Sequence, residues 1–340
     1  MIGYYVHHHG SGHRSRYEAV APLLGHVMAI SEADIAGGLH LPSDVPASAP
    51  VDPGAGGALH WAPLHQSAAR RLRIMADWLA SNEPCGVVVD VSVEAAVVCR
   101  LAGVPTVVIR HFGCRDDRAH ELGYRVASRL VAPWPRELAD DVPGWIRDKT
   151  DYVGYVRQEW ANPCGPVRRD EEAVHVRPED IVVLWGRGGG RLSGRAINAI
   201  ASSCVGTVWC VGEDVVESAP DGGLAANVAV LGWRSDIDSI LSSSPVVVSS
   251  AGNNIIAAAA RWSCPLVLLP QRRPFAEQHL HARRLAALGA AVVVDDADDE
   301  KAWAERFGEA RSCRAHLGAM YRVGGAQRFA DAVLSAFGCR

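Results

Sequence analysis

Residues 245–290 of this 340-residue chain, PVVVSSAGNNIIAAAARWSCPLVLLPQRRPFAEQHLHARRLAALGA, carry its clearest pattern of secondary structure. It predicts a strand, a tight glycine turn, a helix, a second strand, a loop and a second helix. The first strand, Val246 to Ser249, is short and β-branched, which is typical of a strand buried on both faces. The alanine-rich helix that follows Gly252 ends before Pro265, because proline cannot continue a helix.

The start of this helix is a predicted site for a phosphate or pyrophosphate group. A helix that begins just after a parallel strand points its free N–H groups into the crevice at the carboxyl edge of the sheet. The second helix begins with polar side chains that we expect to face the same crevice. The candidate ligands are Ser250, Gly252, Asn253 and Asn254 at the first helix, and Glu277 and Gln278 at the second.

The ordered set of motifs in this stretch resembles the C-terminal half of the MurG-type glycosyltransferases of family 28. That family has a glycine turn, an alanine-rich helix and a buried strand ending in proline, followed by an acid–glutamine pair and an Asn-Ala-x-x-Leu helix. Here the strand ends at Pro270, the pair is Glu277-Gln278, and the helix reads HARRL at 281–285. Where the family usually places a glutamate that holds the donor ribose, this chain has Ala258.

The resemblance implies an α/β protein with the GT-B fold, in which two Rossmann-like doubly wound domains face a central cleft. It also implies an inverting transfer from a nucleotide-diphospho-sugar, with uridine as the expected nucleoside. The N-terminal domain would hold the acceptor and the C-terminal domain the donor. We expect no metal and no cofactor, since no DxD-like pattern is placed where a strand ends.

A second glycine-rich turn follows the first predicted strand, MIGYYV at 1–6. Residues 9–13 read His-Gly-Ser-Gly-His and resemble the turn that faces the acceptor and the donor phosphates in the same family. An acceptor hydroxyl must lose its proton as it attacks the sugar, and a histidine kept neutral by a helix N-terminus can take that proton. We expect His13 to be this general base, with His9, Ser11 and Gly12 beside the acceptor. The alternative is that His13 only caps the helix.

The same turn also resembles an incomplete dinucleotide-binding fingerprint. Its third glycine is replaced by Ser15, and Glu32 and Asp34 would then serve the ribose of NAD. A partial GxGxxG pattern is a weak signal, so the oxidoreductase hypothesis ranks below the glycosyltransferase one.

Polar residues also follow two further strands that we predict in the N-terminal half. Asp90 lies in the strand Gly86 to Val91, and His111 follows the strand Val104 to Arg110, so both are expected at the ligand-binding edge of a parallel sheet. Asp90 is the alternative general base. Glu94 and His111 are candidate acceptor contacts, although Glu94 is also an ordinary acid of a first helical turn.

In the C-terminal half, a strand at 181–184 runs into WGRGGGR at 185–191. Glycine lets backbone N–H groups approach phosphate oxygens, and an arginine can add a bidentate contact, although a plain strand–helix turn is the alternative. The donor candidates in this turn are Arg187, Gly188, Gly189 and Gly190. A later turn carries Trp233 and Arg234 where the family recognises its nucleotide base; Trp233 packs either on the base or in the core.

Alternation of strands and helices predicts two doubly wound domains. We expect an N-terminal domain at 1–165, a C-terminal domain at 179–325, and a final helix at 326–340 that packs back toward the N-terminal domain. Prolines and charges place the linker near 165–178. The proline- and glycine-rich segment 32–63 is expected to be a long acceptor-side loop.

Composition narrows the possible partners. The formal net charge of −4 gives no general attraction to nucleic acid. Nine cysteines lack CxxC spacing, and the histidines at 40, 60 and 65 fit no metal-ligand pattern. Neither a signal peptide nor a run of transmembrane length is evident, so we expect a cytoplasmic protein, with contact to a membrane surface left open.

The expected partners are therefore a nucleotide-sugar donor and a small-molecule acceptor, with transfer of a hexosyl, N-acetylhexosaminyl or uronosyl group. A nucleotide-sugar 2-epimerase is one alternative, since it shares the two-domain architecture but needs no acceptor. A non-catalytic sugar-nucleotide-binding homologue is the other, because Ala258 replaces the ribose-binding glutamate.

Overall fold

The computed structural model describes residues 1–8, 11–43, 52, 54–139, 141–158, 174–186, 190–218, 222–295, 297 and 303–339. The chain divides into two compact units. Unit 1 comprises Met1–Gln158 together with Gly324–Arg340, and unit 2 comprises Glu159–Val323. Most of the predicted linker, up to residue 173, lies outside the described residues.

Unit 1 is built on a seven-stranded sheet whose strands are all parallel. Its strand order is β3-β2-β1-β4-β5-β6-β7, so the central strand β4 has β1 and β5 as neighbours. The elements in chain order are β1 (Ile2–Tyr5), α1 (Ser11–Val20), β2 (Val27–Ser31), β3 (Leu39–His40), α2 (Gln66–Asn82), β4 (Gly86–Asp90), α3 (Val93–Leu101), β5 (Thr106–Ile109), α4 (Arg118–Val126), β6 (Arg129–Ala132), α5 (Gly144–Asp148) and β7 (Thr150–Tyr152).

Strand β7 of this sheet was not predicted from the sequence. β7 has only three residues, Thr-Asp-Tyr, and it pairs along one side with β6 at the edge of the sheet. A short polar edge strand carries neither the apolar run nor the alternation by which strands are recognised.

Unit 2 contains a six-stranded sheet, again with every strand parallel. The strand order is β10-β9-β8-β11-β12-β13, so β11 lies between β8 and β12. Its elements are β8 (Ile181–Leu184), α6 (Gly194–Ser202), β9 (Val208–Val211), β10 (Val228–Gly232), α7 (Ile237–Leu241), β11 (Val246–Ser249), α8 (Asn253–Arg261), β12 (Leu266–Leu268), α9 (Glu277–Ala287), β13 (Val292–Val293) and α10 (Trp303–Ala319).

The prediction for 245–290 is confirmed element by element. β11 occupies Val246–Ser249, and its four residues are all buried, as expected for a strand covered on both faces. Helix α8 begins at Asn253, directly after Gly252, and ends at Arg261 ahead of Pro265. The sheet order then places the carboxyl end of β11 beside those of β8 and β12.

The last helix, α11 (Gly325–Phe337), belongs to unit 1 although it follows unit 2 in the chain. Its buried face, which includes Phe329 and Val333, packs in one core cluster with Ile2 and Tyr4 of β1. Gly325 permits this approach, because a Cβ atom there would collide with the carbonyl oxygen of Tyr155. Among the described residues, no helix is long and apolar enough to cross a membrane.

We expect Phe329→Ala to destabilise unit 1 by about 3–5 kcal/mol, the usual effect of emptying a buried phenylalanine site. Phe329 is fully buried in the core cluster that α11 shares with β1, and its removal would leave an apolar cavity there. Urea denaturation followed by circular dichroism measures the change. Gln327→Ala on the exposed side of the same helix is the control and should change the free energy of unfolding by less than about 0.5 kcal/mol.

Candidate active site

The candidate site of unit 1 is centred on Asp90, the last residue of the central strand β4. Its side chain is fully buried, and three groups from neighbouring elements converge on it. Arg16 of α1 donates a hydrogen bond from Nη1 to Oδ2 at 2.7 Å, and His111, just after β5, lies with Nε2 2.9 Å from Oδ1. Nδ1 of His13 in the first turn of α1 is 3.1 Å from Oδ2.

Electrostatics fix the charge states at this carboxylate. Burial by itself would raise the pKa of Asp90, but Arg16 and the two histidines hold that pKa well below its usual range. Burial lowers the pKa of His111 to about 3, although the hydrogen bond with Asp90 opposes the shift. Asp90 is therefore an anion and His111 is neutral near pH 7, so His111 donates its Nε2–H to the carboxylate.

His13 differs from its neighbours in geometry. Its ring is 18% exposed, while the Asp90 side chain has no exposed surface. His13 Nδ1 lies 3.1 Å from Asp90 Oδ2, but the geometry is not that of a hydrogen bond. The His13 ring also lies near two other imidazoles, with centroids 5.3 Å from His7 and 5.4 Å from His111. A partly exposed imidazole beside a buried carboxylate is the arrangement of a general base with its orienting acid.

The backbone just after Asp90 is strained. Val91 has φ of +79°, a left-handed conformation that is rare for a β-branched residue. The next residue, Ser92, caps α3 by accepting the N–H of Ala95 at 3.1 Å. Strain of this kind persists where surrounding contacts enforce it and clusters at functional sites.

Glu94 holds a loop segment instead of standing free beside the site. Its Oε1 accepts the backbone N–H groups of His60 and Trp61 at 2.7 and 2.9 Å, and its Oε2 accepts the hydroxyl of Ser92 at 3.1 Å. Both carboxylate oxygens are therefore engaged within the protein. The predicted contact of Glu94 with the acceptor substrate would therefore have to be indirect, through the segment at His60 and Trp61 that Glu94 holds.

A second histidine–aspartate cluster lies beside this segment. Asp117 contacts Nε2 of His60 at 3.2 Å and Nδ1 of His120 at 2.6 Å, and Arg115 Nη1 is 2.8 Å from His120 Nε2. Hydrogen bonds from His120 lower the pKa of Asp117 to about 2 against the opposing effect of burial, and burial lowers the pKa of His120 to about 4. This cluster was not predicted from the sequence, because His60 lies 57 positions from Asp117 in the chain.

Within the described residues, these two clusters have the spacing that could hold a metal ion. Each also has an arginine in contact with it. Arg16 already places a positive charge 2.7 Å from the Asp90 carboxylate. Because a guanidinium only donates, Arg115 makes His120 Nε2 an acceptor and leaves the proton on Nδ1, the atom that faces Asp117. Both arrangements satisfy the anion by hydrogen bonding.

The structure thus brings together three residues predicted from the sequence, His13, Asp90 and His111. His9 lies outside the described residues, as does the side chain of Ser11, while Gly12 lies in the first turn of α1. Arg16 was missed. Its position one turn after His13 on the same helix face was the available signal.

In unit 2, helix α8 begins directly after the glycine turn. Gly252 is its N-cap, and among the described residues no side-chain hydrogen bond caps the helix and no heavy atom lies within 4 Å of the position of a Cβ added at Gly252. Asn253 and Asn254 are its first two residues, and Ser250 is buried in the turn that leads to them. The exposed N–H groups of such a helix start form a site for an anion.

The glycine-rich turn after β8 is described only at its two ends. Arg187, Gly188 and Gly189 lie outside the described residues. The carbonyl of Gly190 accepts hydrogen bonds from the indole N–H of Trp185 at 2.5 Å and from Nε2 of Gln271 at 2.9 Å.

The other donor candidates have unequal surroundings. Arg234 is buried and makes a bidentate pair with Asp236 at 2.8 and 2.7 Å, whereas its neighbour Trp233 is 45% exposed. Gln278 is buried in α9, where its Oε1 accepts the backbone N–H of Gln271 at 2.9 Å, and Glu277 is the first residue of that helix. Arg234 and Gln278 therefore brace loops, and Trp233 remains accessible to a ligand.

Comparison with known proteins agrees with this architecture. Residues 210–306 match the model of the glycosyltransferase family 28 C-terminal domain. Three solved structures superpose over nearly the whole chain. Acinetobacter baumannii MurG has a TM-score of 0.64 at 13% identity, covering 98% of this chain and 99% of that one. A spinosyn rhamnosyltransferase has a TM-score of 0.66 at 17% identity, covering 98% of this chain and 100% of that one, and a Polygonum tinctorium UDP-glucosyltransferase has a TM-score of 0.70 at 17% identity, covering 100% and 99%. The chain has the GT-B fold.

Curated relatives with similar sequences carry one description. They are UDP-N-acetylglucosamine–N-acetylmuramyl-(pentapeptide) pyrophosphoryl-undecaprenol N-acetylglucosamine transferases. That of Paenarthrobacter aurescens is 28% identical over 146 residues, 41% of this chain and 39% of the relative. That of Clavibacter sepedonicus is 24% identical over 260 residues, 73% of this chain and 67% of the relative. The first match thus spans well under two thirds of the relative's length.

We expect His111 to contribute to the fall in the free energy of unfolding as the pH drops below neutrality. An unfolded histidine titrates near pH 6.5, whereas the folded pKa is about 3, so its stabilising contribution is complete above about pH 6.5 and is lost as pH falls toward 3. The His111→Gln variant keeps a donor for Asp90. Near pH 5, its free energy of unfolding should depend on pH with a slope about 1.4 kcal/mol per pH unit smaller than that of wild type.

Urea titrations at several pH values between 7 and 4.5 measure this slope. His26→Gln, on an exposed histidine of the same unit, is the control and should keep the wild-type slope. Equal slopes in wild type and His111→Gln would show that folding does not change the pKa of His111.

Proposed function

We propose that the protein is a glycosyltransferase that moves a sugar from a nucleoside-diphosphate sugar, with uridine as the first candidate nucleoside, to a hydroxyl of a small-molecule acceptor. The observation that carries this proposal is the partly exposed His13 beside the buried anion Asp90 at the carboxyl edge of the sheet. The GT-B fold and the family 28 match at 210–306 support it.

In the proposed reaction, an acceptor hydroxyl oxygen attacks the anomeric carbon and forms the new glycosidic bond. The bond between that carbon and the diphosphate oxygen breaks, and its electron pair leaves with the diphosphate. The hydroxyl proton passes to His13. Attack on the side opposite the leaving group inverts the configuration at the anomeric carbon.

Asp90 would stabilise the imidazolium that forms on His13, because its carboxylate lies 3.1 Å from His13 Nδ1. Arg16 and His111 keep this carboxylate ionised and fixed, since they occupy Oδ2 and Oδ1 at 2.7 and 2.9 Å. Asp90 itself is a poor base, because its pKa lies well below the usual range. This makes His13 the better of the two candidates for the base.

The leaving diphosphate is assigned to the N-terminus of α8. Its N–H groups and the positive end of the helix dipole would stabilise the charge that develops as the bond breaks. This role needs no metal ion, and metal independence stays a prediction, as does a cytoplasmic location.

The choice of a small-molecule acceptor is drawn from similar structures. The spinosyn rhamnosyltransferase was solved with spinosyn aglycone, and the Polygonum tinctorium enzyme is described as glucosylating indoxyl. The curated relatives instead transfer N-acetylglucosamine to a lipid-linked acceptor. Release of free nucleotide in the presence of candidate acceptors of both kinds would separate them.

A thermal-shift panel of uridine, thymidine and guanosine diphosphates tests the donor assignment. A diphosphate present at about a hundred times its dissociation constant should stabilise the protein by roughly 2.7 kcal/mol. The expected result is a shift with at least one of them and none with the free nucleosides. If no diphosphate shifts the unfolding temperature, the protein does not bind such a donor.

Incubation with a UDP-sugar alone should return it unchanged, whereas an epimer would identify an epimerase.

We expect His13→Ala to lower turnover by roughly a hundredfold or more, the usual scale for loss of a positioned base. Diphosphate affinity should stay within about twofold, because the proton to be removed belongs to the acceptor. Steady-state kinetics and calorimetric titration measure the two quantities. His26→Ala removes an exposed histidine of the same unit and should leave both unchanged. A folded His13→Ala protein with wild-type turnover would show that His13 is not the general base.

A further inference from the structure

One hydrogen bond in unit 2 joins the two loops on either side of the β11–α8 turn. Nε2 of Gln271, three residues after β12, donates to the carbonyl of Gly190, six residues after β8, at 2.9 Å. β8 and β12 are the two neighbours of β11, and all three strands are parallel. Two strand spacings separate β8 from β12, about 9.6 Å in all. The two loops, joined by this bond, therefore bridge the distance across β11 at the edge of the sheet where α8 begins.

Both ends of this bond are held by buried groups. The backbone N–H of Gln271 donates to Oε1 of Gln278 at 2.9 Å, and Gln278 is only 6% exposed. The carbonyl of Gly190 also accepts the indole N–H of Trp185, which is 3% exposed, at 2.5 Å. A continuous chain of hydrogen bonds thus runs from α9 through the loop after β12 to the turn after β8.

The chain of hydrogen bonds fixes a whole peptide unit. Because the peptide group is planar and trans, two donors on the Gly190 carbonyl also set the direction of the N–H of residue 191. A loop held in place before its ligand arrives loses less conformational entropy on binding.

We infer that Gln271 is a positioning residue for the donor diphosphate, which it serves by holding the end of the β8 turn beside the N-terminus of α8. This inference rests on the donor site proposed above. Gln271 acts through the carbonyl of Gly190 and need not touch the ligand. Its effect belongs to the diphosphate part of the ligand and not to the nucleoside.

The variant Gln271→Met tests the role, because methionine keeps the length of the side chain, cannot donate a hydrogen bond and leaves the backbone bond to Gln278 in place. Titration calorimetry with UDP should show an affinity about threefold to tenfold weaker than wild type, the range expected for one hydrogen bond. Competition NMR with uridine should show unchanged nucleoside affinity. A merely structural role would weaken both ligands together or neither.

Gln327→Met on α11 is the matched control, since it removes an exposed glutamine that donates to Asp331 in unit 1. It should bind UDP as the wild type does. Trp185→Phe removes the other donor to Gly190 and should weaken UDP in the same direction as Gln271→Met.

Three results are distinguishable. A selective loss of UDP affinity in Gln271→Met supports the inference. Equal UDP affinity in Gln271→Met and wild type overturns it and leaves the donor site intact. A wild-type protein that binds neither UDP nor thymidine diphosphate overturns the donor proposal, and the role of Gln271 with it.

Discussion

The contact between Arg16 and Asp90 is the constraint on which the candidate site of unit 1 depends. A carboxylate without exposed surface is tolerated only when opposite charge and hydrogen bonds compensate its lost hydration. Here the compensation comes from α1 on one side of β4 and from the end of β5 on the other. The order β1-β4-β5 makes this possible, because it places those two connections next to the carboxyl end of β4. Correct strand order is therefore a precondition of the site.

The features around the Asp90 carboxylate are not those that would give the most stable core. A buried ion pair is often worth less to stability than apolar side chains of the same volume. The left-handed Val91, next to Asp90, adds strain at the same place, and its side chain lines a small recess with His111 and His120. Neither feature is what a stable core would select. Together they keep an anion, a neutral histidine and a partly exposed histidine in one fixed arrangement, which general-base chemistry requires.

The sequence predicted the parts of this structure that depend on local pattern. The β-branched run Val246–Ser249, the glycine before α8 and Pro265 after it are local signals, and the structure follows them. The partners of Asp90 were only partly predictable. Its contact with Arg16 joins residues 74 positions apart, and hydrophobic periodicity records burial without naming the partner. The contact of His60 with Asp117 was not predicted for the same reason, and β7 was not predicted because three polar residues at an edge carry no pattern.

The two units offer different chemistry at the carboxyl edges of their sheets. In unit 1 the functional groups are charged or titratable side chains around a buried anion. In unit 2 two of the described arginines near the candidate donor turns are already paired, Arg234 with Asp236 and Arg191 with Asp214. The diphosphate site proposed above is instead the start of α8, where fixed N–H dipoles carry the partial positive charge. Such dipoles need no counterion to be displaced and no side chain to be ordered, but they act only if the adjoining loops are fixed. The dependence of an anion site on loop geometry, more than on charge, is why Gln271 and Gly190 matter to it.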